Sequence, residues 1–580
     1  MSTTEASDDT VPGLVERSRR IVGWMTSGRG AAVIVALLTL FGLALRLWNL
    51  DKEPLHVDEL RQVIEVQAPL LEVIHRSYVL AQPPLDYIIG WLTVQIGPAT
   101  DFSQRLPAAL FGTSSVGLVG LVLVRAKHHV AAIFAAFFVA ISPLLVELSQ
   151  YVRPYALPVF TVLSTIALYQ HWHLRSKRWQ VLALFGLSAA LALLSRPVMP
   201  LIALGTLGVI ALVKALLRHR LSDPLSLLRS DLPGLVVLPA AFLLVWVPSS
   251  MYINSGFLVD CWQCNKWSRL ATGVENFGEF GEFAVRPTSL VLLLFLAVVV
   301  IAFRPARSAL GDTWYLWAPL LLTGPGYALV HALVLPPGTF FAIRYLVFLP
   351  IGLVVYLAVG IAAIGTSTRG KHLLVRAAVT IVLLVFVAQT ASAMLARLKF
   401  QSEGLDLADW RSTAEYIESI EAPGDVIISI DTRPFSRETK FGFEAYPRYY
   451  DGSSPFFKPE HVISDPTSVM DAGRYHFVLF VPKMAGGWSV PSDWIVADFS
   501  EMKIMTTPSL LTNEFRVDAW WILSESLRPD VAITTQIAGG SLAAVMDSTG
   551  DPWFEVAREE AALLNQGDYA DQLITRVMDP

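Results

Sequence analysis

Long apolar runs dominate this sequence and decide what it can fold into. Runs of roughly 17 to 22 residues recur up to about residue 396, which is the length a helix needs to cross about 30 Å of hydrocarbon. Hydrophobic residues make up 54% of the chain and charged residues only 16%. We therefore expect a polytopic α-helical membrane protein with about eleven transmembrane helices. The predicted spans begin near residues 31, 107, 129, 155, 180, 198, 233, 288, 314, 345 and 373.

The connections between these runs differ in basic charge. If the spans alternate, 18 Lys and Arg residues fall on one side of the membrane and 10 on the other, where the loops are longer. The positive-inside rule then places residues 1–30 in the cytoplasm and the C-terminus outside. The first run shows no small-residue cleavage site after it, so we expect it to stay as a span. The predicted location is the plasma (inner) membrane of a bacterium.

One apolar segment is too short to be a span. The stretch PPLDYIIGWLTVQIG, Pro83 to Gly97, is interpreted as a helix lying in the membrane interface. It then belongs to one long external loop, residues 49–106, within a membrane domain of residues 31–396. This stretch of chain is called the first loop below.

The last part of the chain changes character. Residues 397–580 contain 29 acids and 15 bases, whereas the preceding part contains 20 acids and 29 bases. DVIISI and RYHFVLFVP have the pattern of strands, and stretches near DWRSTAEYIESI, AWWILSESL and FEVAREEAALL have that of helices. We expect a soluble α/β domain on the external face.

Both cysteines, Cys261 and Cys264, lie in one predicted external loop as CWQC. Such a pair outside the cytosol favours a disulfide that fixes the loop. Unpaired thiols, metal binding and redox exchange stay open as alternatives.

An acid pair, Asp58 and Glu59, follows the first span in the stretch EPLHVDELRQV. One interpretation is structural, because Asp58 has the position of an N-cap and Glu59 that of a first-turn acid. The other is catalytic, because an ionised carboxylate at the membrane surface can accept the proton of an incoming hydroxyl. A single base suffices when the leaving group is already good, as it is for a sugar on a lipid phosphate.

Five short motifs, HVDE, QPPLDY, RLPAALFG, SQYVRPYAL and RYLVFLP, occur in this order along the chain. Together they resemble the GT-C superfamily of membrane glycosyltransferases. The likeness is to the branch with protein O-mannosyltransferases and lipid A aminoarabinose transferases, and it covers the membrane part.

The resemblance implies an enzyme that moves a sugar from a polyprenyl-phosphate donor to an acceptor on the outer side, usually with inversion. The acceptor would be a lipid-linked sugar, a glycan or a protein. The acid of the first loop is the expected base, which corresponds to Asp58 with Glu59 beside it. Pro83 and Pro84 would position the part of the loop that covers the site.

The sequence also departs from the family pattern. Many relatives have Glu where this chain has Tyr151, and Glu147 lies four residues earlier. This argues against a metal ligand in the second loop, and His56-x-Asp58 is a weak metal signal, so no cofactor is predicted and a divalent metal stays an open alternative. Gln82 replaces the His that is common in the mannosyltransferases, so a protein acceptor does not follow.

A lipid phosphate requires cations close to the membrane surface, and the planar guanidinium of Arg suits it. Arg344, Arg153 and Arg196 each fall at a predicted external boundary of a span, where the alternative role is interfacial anchoring. Arg344 is the first choice because the resemblance also indicates it. His56, Gln82 and Tyr87 are candidates for contacts to the substrates. His56 also fits a structural role, and Tyr87 an interfacial one.

Two other classes of function compete with an enzyme. A transporter or flippase of a lipid-linked or amphipathic solute would use the acids and arginines along a pathway. However, transporters usually have broken or polar helices at mid-membrane, and here the charges cluster at boundaries. An inactive scaffold with an external binding domain is the third class. No nucleic-acid or nucleotide motif occurs.

Overall fold

The computed structural model describes the chain in segments. In the first part these are residues 23–24, 26–52, 55, 59, 62–63, 65–79, 82–97, 100–219, 232–252, 296–333, 346–366 and 373–403. In the last part they are six strands between residues 426 and 547. The described residues form two compact units, one within 1–50 and 65–402 and one within 51–64 and 403–580.

The first unit is helical. Its labelled helices are α1 (Gly28–Leu47), α2 (Leu70–Val79), α3 (Pro84–Ile96), α4 (Asp101–Arg125), α5 (His129–Ile141), α6 (Pro143–Leu148), α7 (Ala156–Leu174), α8 (Trp179–Ser195), α9 (Val198–His219), α10 (Leu232–Tyr252), α11 (Arg304–Leu321), α12 (Thr323–Leu333), α13 (Phe348–Thr366) and α14 (Leu373–Glu403). Residues 296–302 are also helical.

Five of these helices are long and apolar enough to cross a membrane. They lie in α1, α4, α9, α13 and α14. Three shorter apolar helices lie in α5, α8 and α10. The chain is therefore a membrane protein by its helices as well as by its composition, while the count of eleven spans stays a prediction.

Local signals explain where the helices begin and end. α4 begins at Asp101 rather than near 107 because Thr100 and Ser103 form a reciprocal capping box. α5 ends at Ile141 because Ser142 is extended and Pro143 starts α6. The span predicted from about residue 314 begins ten residues earlier, at Arg304, where Phe303 is the N-cap and Pro305 occupies the first turn.

The predicted interfacial segment is a helix. α3 has 13 residues, so it is about 20 Å long and too short to cross the hydrocarbon. Proline stands in its first turn. Tyr87 on α3 is buried with Val66 and Val73 in a small apolar cluster of its own.

Small residues on α4 let α1 and the 149–155 segment pack closely. A Cβ on Gly120 would lie 2.4 Å from Cγ1 of Val35, and a Cβ on Gly112 would lie 2.0 Å from Oγ of Ser149. Neither space admits a larger side chain without rearrangement. Glycines at such positions are typical of helices that pack within membranes.

The second unit contains one mixed sheet. Its strands are β1 (Val426–Asp431), β2 (Phe477–Pro482), β3 (Ile495–Asp498), β4 (Met502–Thr506), β5 (Ala532–Ile537) and β6 (Leu542–Asp547), in the order β3-β4-β2-β1-β5-β6. The central pair β1 and β2 is parallel, with Val426 beside Phe477, and the other pairs are antiparallel.

β1 and β2 lie where DVIISI and RYHFVLFVP predict strands. Their apolar runs fit their central positions in the sheet order. The helices predicted for this domain fall outside the described residues. Its α/β class therefore remains a prediction.

Candidate functional site

The first loop begins with a sharp turn at the end of α1. Trp48 is extended, and Asn49 has a φ of 48°, in the left-handed region where Asn is among the better tolerated residues. The first loop begins at this turn, immediately after α1.

Two side chains from distant parts of the sequence hold the backbone of this turn. Gln150 Nε2 donates to the carbonyl oxygens of Arg46 at 3.1 Å and Trp48 at 3.2 Å. Arg105, buried in the first turns of α4, donates to Leu50 O at 3.1 Å. The last carbonyls of a helix have no partner within it, and Gln150 supplies one for Arg46 O.

Arg46 is the largest fully buried side chain described, with 1% of its surface exposed. It fills the break between α5 and α6. Val139 O would normally pair with the N–H four residues on, but that residue is Pro143, which has none. The guanidinium takes that role. It donates to Gly42 O (3.0 Å), Val139 O (3.2 Å), Ala140 O (3.4 Å) and Ser149 Oγ (3.2 Å).

The 149–155 segment is also tied to the last long helix. Arg397 on α14 donates to Glu147 Oε2 and to Gln150 Oε1, both at 3.0 Å. Both side chains of the Arg397–Glu147 pair are mostly covered, with 16% and 23% exposed. Glu147, which the sequence left as a second candidate acid, is therefore engaged by Arg397.

Two of the predicted phosphate-binding arginines lie close to this segment. Arg196, at the end of α8, places its guanidinium carbon 5.2 Å from the ring centroid of Tyr155, within cation–π range. Arg153 stands two residues before Tyr155, and its carbonyl oxygen accepts from Tyr155 N at 2.7 Å. The fold thus brings the Arg153 and Arg196 positions to one end of the helical unit, beside the start of the first loop.

The structure describes only some of the remaining predicted site residues. Glu59 is buried, with 1% exposed, Tyr87 is buried on α3, and Gln82 is half-buried just before that helix. Asp58, His56, Arg344, Cys261 and Cys264 lie outside the described residues. Among those described, no group of three or more His, Cys, Asp or Glu side chains could hold a metal ion.

A separate ion cluster fixes α2, on the predicted external part of the first loop. Arg76 donates to Glu65 at 2.9 Å and to Glu72 at 3.0 Å. The hydrogen bonds that Arg76 donates, foremost to Glu65 and then to Glu72, raise the pKa of Arg76. This arginine is therefore committed to the local structure rather than to a phosphate.

Sequence reasoning missed Arg46, Gln150 and Arg397. Arg46 did carry a signal, because an arginine inside an apolar run is costly and usually has a purpose. Gln150 lies in a motif that was recognised, but its partners are more than 100 residues away. Arg397 offers no signal that a single sequence could reveal.

Comparison with protein families gives a match to part of the chain. Residues 81–246 match the model of the dolichyl-phosphate-mannose-protein mannosyltransferase family. This range contains Gln82, Tyr87 and α4, together with Gln150, Arg153 and Arg196. A search of curated protein sequences found no significant match.

Comparison with solved structures gives distant likenesses. ArnT from Cupriavidus metallidurans bound to undecaprenyl phosphate has 13% identity and a TM-score of 0.44, over 81% of this chain and 97% of that chain. The Archaeoglobus fulgidus oligosaccharyltransferase in complex with Zn and sulfate has 14% identity and a TM-score of 0.37, over 78% of this chain and 68% of that chain.

The family match falls on the region that contains three of the five motifs, QPPLDY, RLPAALFG and SQYVRPYAL. It confirms the resemblance predicted from them. Residues 81–246 are therefore similar to this family of membrane mannosyltransferases, over somewhat less than a third of the chain.

Proposed function

We propose that this protein transfers a sugar from a polyprenyl-phosphate donor to an acceptor on the external side of the membrane, with inversion. Asp58 is the general base that takes the proton of the acceptor hydroxyl as the sugar leaves its lipid phosphate. Glu59 orients Asp58 or the acceptor, and its buried side chain suits a fixed orienting role. The acceptor is a lipid-linked sugar, a glycan or a protein.

The observation that carries the proposal is the convergence of the Arg153 and Arg196 positions around Tyr155, beside the start of the first loop. The matched family is named for a lipid-phosphate-linked sugar donor. Such a donor presents an anion at the membrane surface, and Arg pairs with phosphate through two parallel hydrogen bonds. Together with Arg344, these side chains would hold the phosphate and stabilise it as the leaving group.

The proposed chemistry requires little beyond positioning and one base. The sugar–phosphate bond breaks with its electrons going to the phosphate oxygen, and arginines stabilise that charge. The acceptor oxygen attacks from the opposite face of the sugar, which gives inversion. His56, Gln82 and Tyr87 would contact the sugar or the acceptor, and whether the sugar is a hexose or a pentose depends on that contact surface.

The orientation in the membrane is part of the same proposal. The N-terminus is cytoplasmic, and the first loop, the 149–155 segment and the C-terminal α/β domain are external. All of the proposed site residues then lie on the side where a flipped lipid-linked sugar would be presented.

Mass spectrometry of envelope glycans and lipid-linked sugars, with and without the gene, tests this function. We expect one sugar to disappear from a glycan and its polyprenyl-phosphate form to accumulate. Unchanged glycans and unchanged lipid-linked sugars would contradict the proposal.

A further inference from the structure

We infer that Gln150 is a positioning residue that holds the start of the first loop against the end of α14. The catalytic meaning of this inference rests on the proposed function, because the first loop contains Asp58. The contacts themselves do not depend on it. The Gln150 junction is defined as Gln150, Arg397 and the carbonyl oxygens of Arg46 and Trp48.

The partners of Gln150 fix which way its amide points. A guanidinium can only donate and a backbone carbonyl can only accept. The oxygen of Gln150 therefore faces Arg397, and its NH₂ group faces the two carbonyls, at 3.0, 3.1 and 3.2 Å respectively. A side chain with an acceptor at one atom and a double donor at the other is required, and at this length only Gln provides it.

Because Gln150 is buried, loss of its hydrogen bonds would be costly in free energy. Gln150 is 5% exposed, so little water is available to replace its partners. Arg46 O is one of the last carbonyls of α1 and Trp48 O belongs to the turn that follows, so both lack the ordinary helical donor. The amide of Gln150 is thus a side-chain cap on α1 that sets the direction in which the first loop leaves.

Arg397 extends the junction to the helix from which the C-terminal domain continues. Its two terminal nitrogens bridge Glu147 and Gln150 at equal distances of 3.0 Å. Glu147 and Gln150 are three residues apart, so the planar fork of Arg spans the turn at the end of α6. A displacement of the end of α14 would therefore be transmitted to Gln150 and from there to the turn at Trp48.

Gln150→Glu breaks one side of the junction selectively. The new carboxylate would keep and strengthen the contact to Arg397, but it would place an acceptor oxygen against two carbonyl oxygens. Gln170→Glu is the matched control. Gln170 is also buried, at 1% exposed, and donates through Nε2 to Val122 O at 2.9 Å in another part of the helical unit. Both variants bury a carboxylate, but only the first disturbs the turn at Trp48.

Hydrogen exchange of the full chain in lipid nanodiscs tests the inference without a substrate. We expect the amides of residues 49–52 to exchange about tenfold faster in Gln150→Glu than in wild type, the scale of losing two hydrogen bonds, and to stay unchanged in Gln170→Glu. Unchanged exchange in Gln150→Glu, or an equal increase in both variants, would overturn it.

A kinetic comparison then separates positioning from general instability. With the lipid-linked donor that accumulates in the deletion strain as the probe, Gln150→Glu should lower kcat with little change in the donor KM. Equal losses of kcat in Gln150→Glu and Gln170→Glu, at matched amounts of folded protein, would overturn the positioning role. Exchange data and the glycan analysis are independent, so failure of the junction and failure of the proposed function are distinguishable.

Discussion

Arg46 is predicted to stabilise the fold by supplying hydrogen-bond donors at the break between α5 and α6. Arg46→Met removes the guanidinium but keeps an unbranched apolar side chain. Val139 O and Ala140 O then lose their donor, at 3.2 and 3.4 Å in the wild type, inside a helical unit from which water is largely excluded.

The expected loss follows from these contacts. Each buried acceptor left without a donor costs about 1 to 3 kcal/mol. Removing a buried cation relieves part of its desolvation cost, which opposes that loss. We therefore expect Arg46→Met to lower the free energy of unfolding by about 2 to 4 kcal/mol, from two such acceptors. Arg46→Lys should recover part of the loss, since one ammonium cannot reproduce the planar fork.

Equilibrium unfolding in mixed detergent and SDS micelles measures this difference. Arg29→Met is the control, because Arg29 is an exposed arginine on the same helix and should change stability by no more than about 0.5 kcal/mol. An Arg46→Met protein as stable as wild type, or more stable, would refute the reasoning, because desolvation of the cation would then outweigh its hydrogen bonds.

The remaining predictions concern the donor and the orientation. Arg344→Ala should weaken donor binding by about 1.5 to 3 kcal/mol, the usual contribution of a hydrogen bond to a charged group, and Arg344→Lys should restore only part of it. Wild-type donor affinity in folded Arg344→Ala would exclude this residue from the site. A cysteine introduced by Ser454→Cys, with Cys261 and Cys264 replaced, should react with an impermeant reagent in intact cells; labelling only after permeabilisation would contradict an external C-terminal domain.

The positions of most helices could be predicted from the sequence, because apolar runs and their boundaries are local signals. Spans expected near 129, 155, 180, 198, 233 and 373 correspond to helices that begin within about two residues of those positions. The start of α11 at Arg304 could not be predicted, because the polar residues of its first turn lie outside the apolar run. The break between α5 and α6 could be predicted from Pro143, but the hydrogen bonds that Arg46 donates at that break could not.

The candidate site was predictable only where a motif marked it. The motif SQYVRPYAL led to Arg153, and the fold places Arg196 close to it through Tyr155. The role of Gln150 depends on partners 104 and 247 residues away, which no local pattern encodes. Asp58 and Arg344 stay predictions, because they lie outside the described residues.

The most direct test of the proposed catalytic function compares wild-type protein with Asp58→Asn in sugar transfer from the accumulated lipid-linked donor. Asn is as good an N-cap as Asp, so a purely structural role predicts a folded and active variant. A general base predicts a folded variant that transfers sugar about 10²-fold more slowly or worse. Glu59→Gln should cost less. Transfer by folded Asp58→Asn at close to the wild-type rate would contradict the assignment of the base.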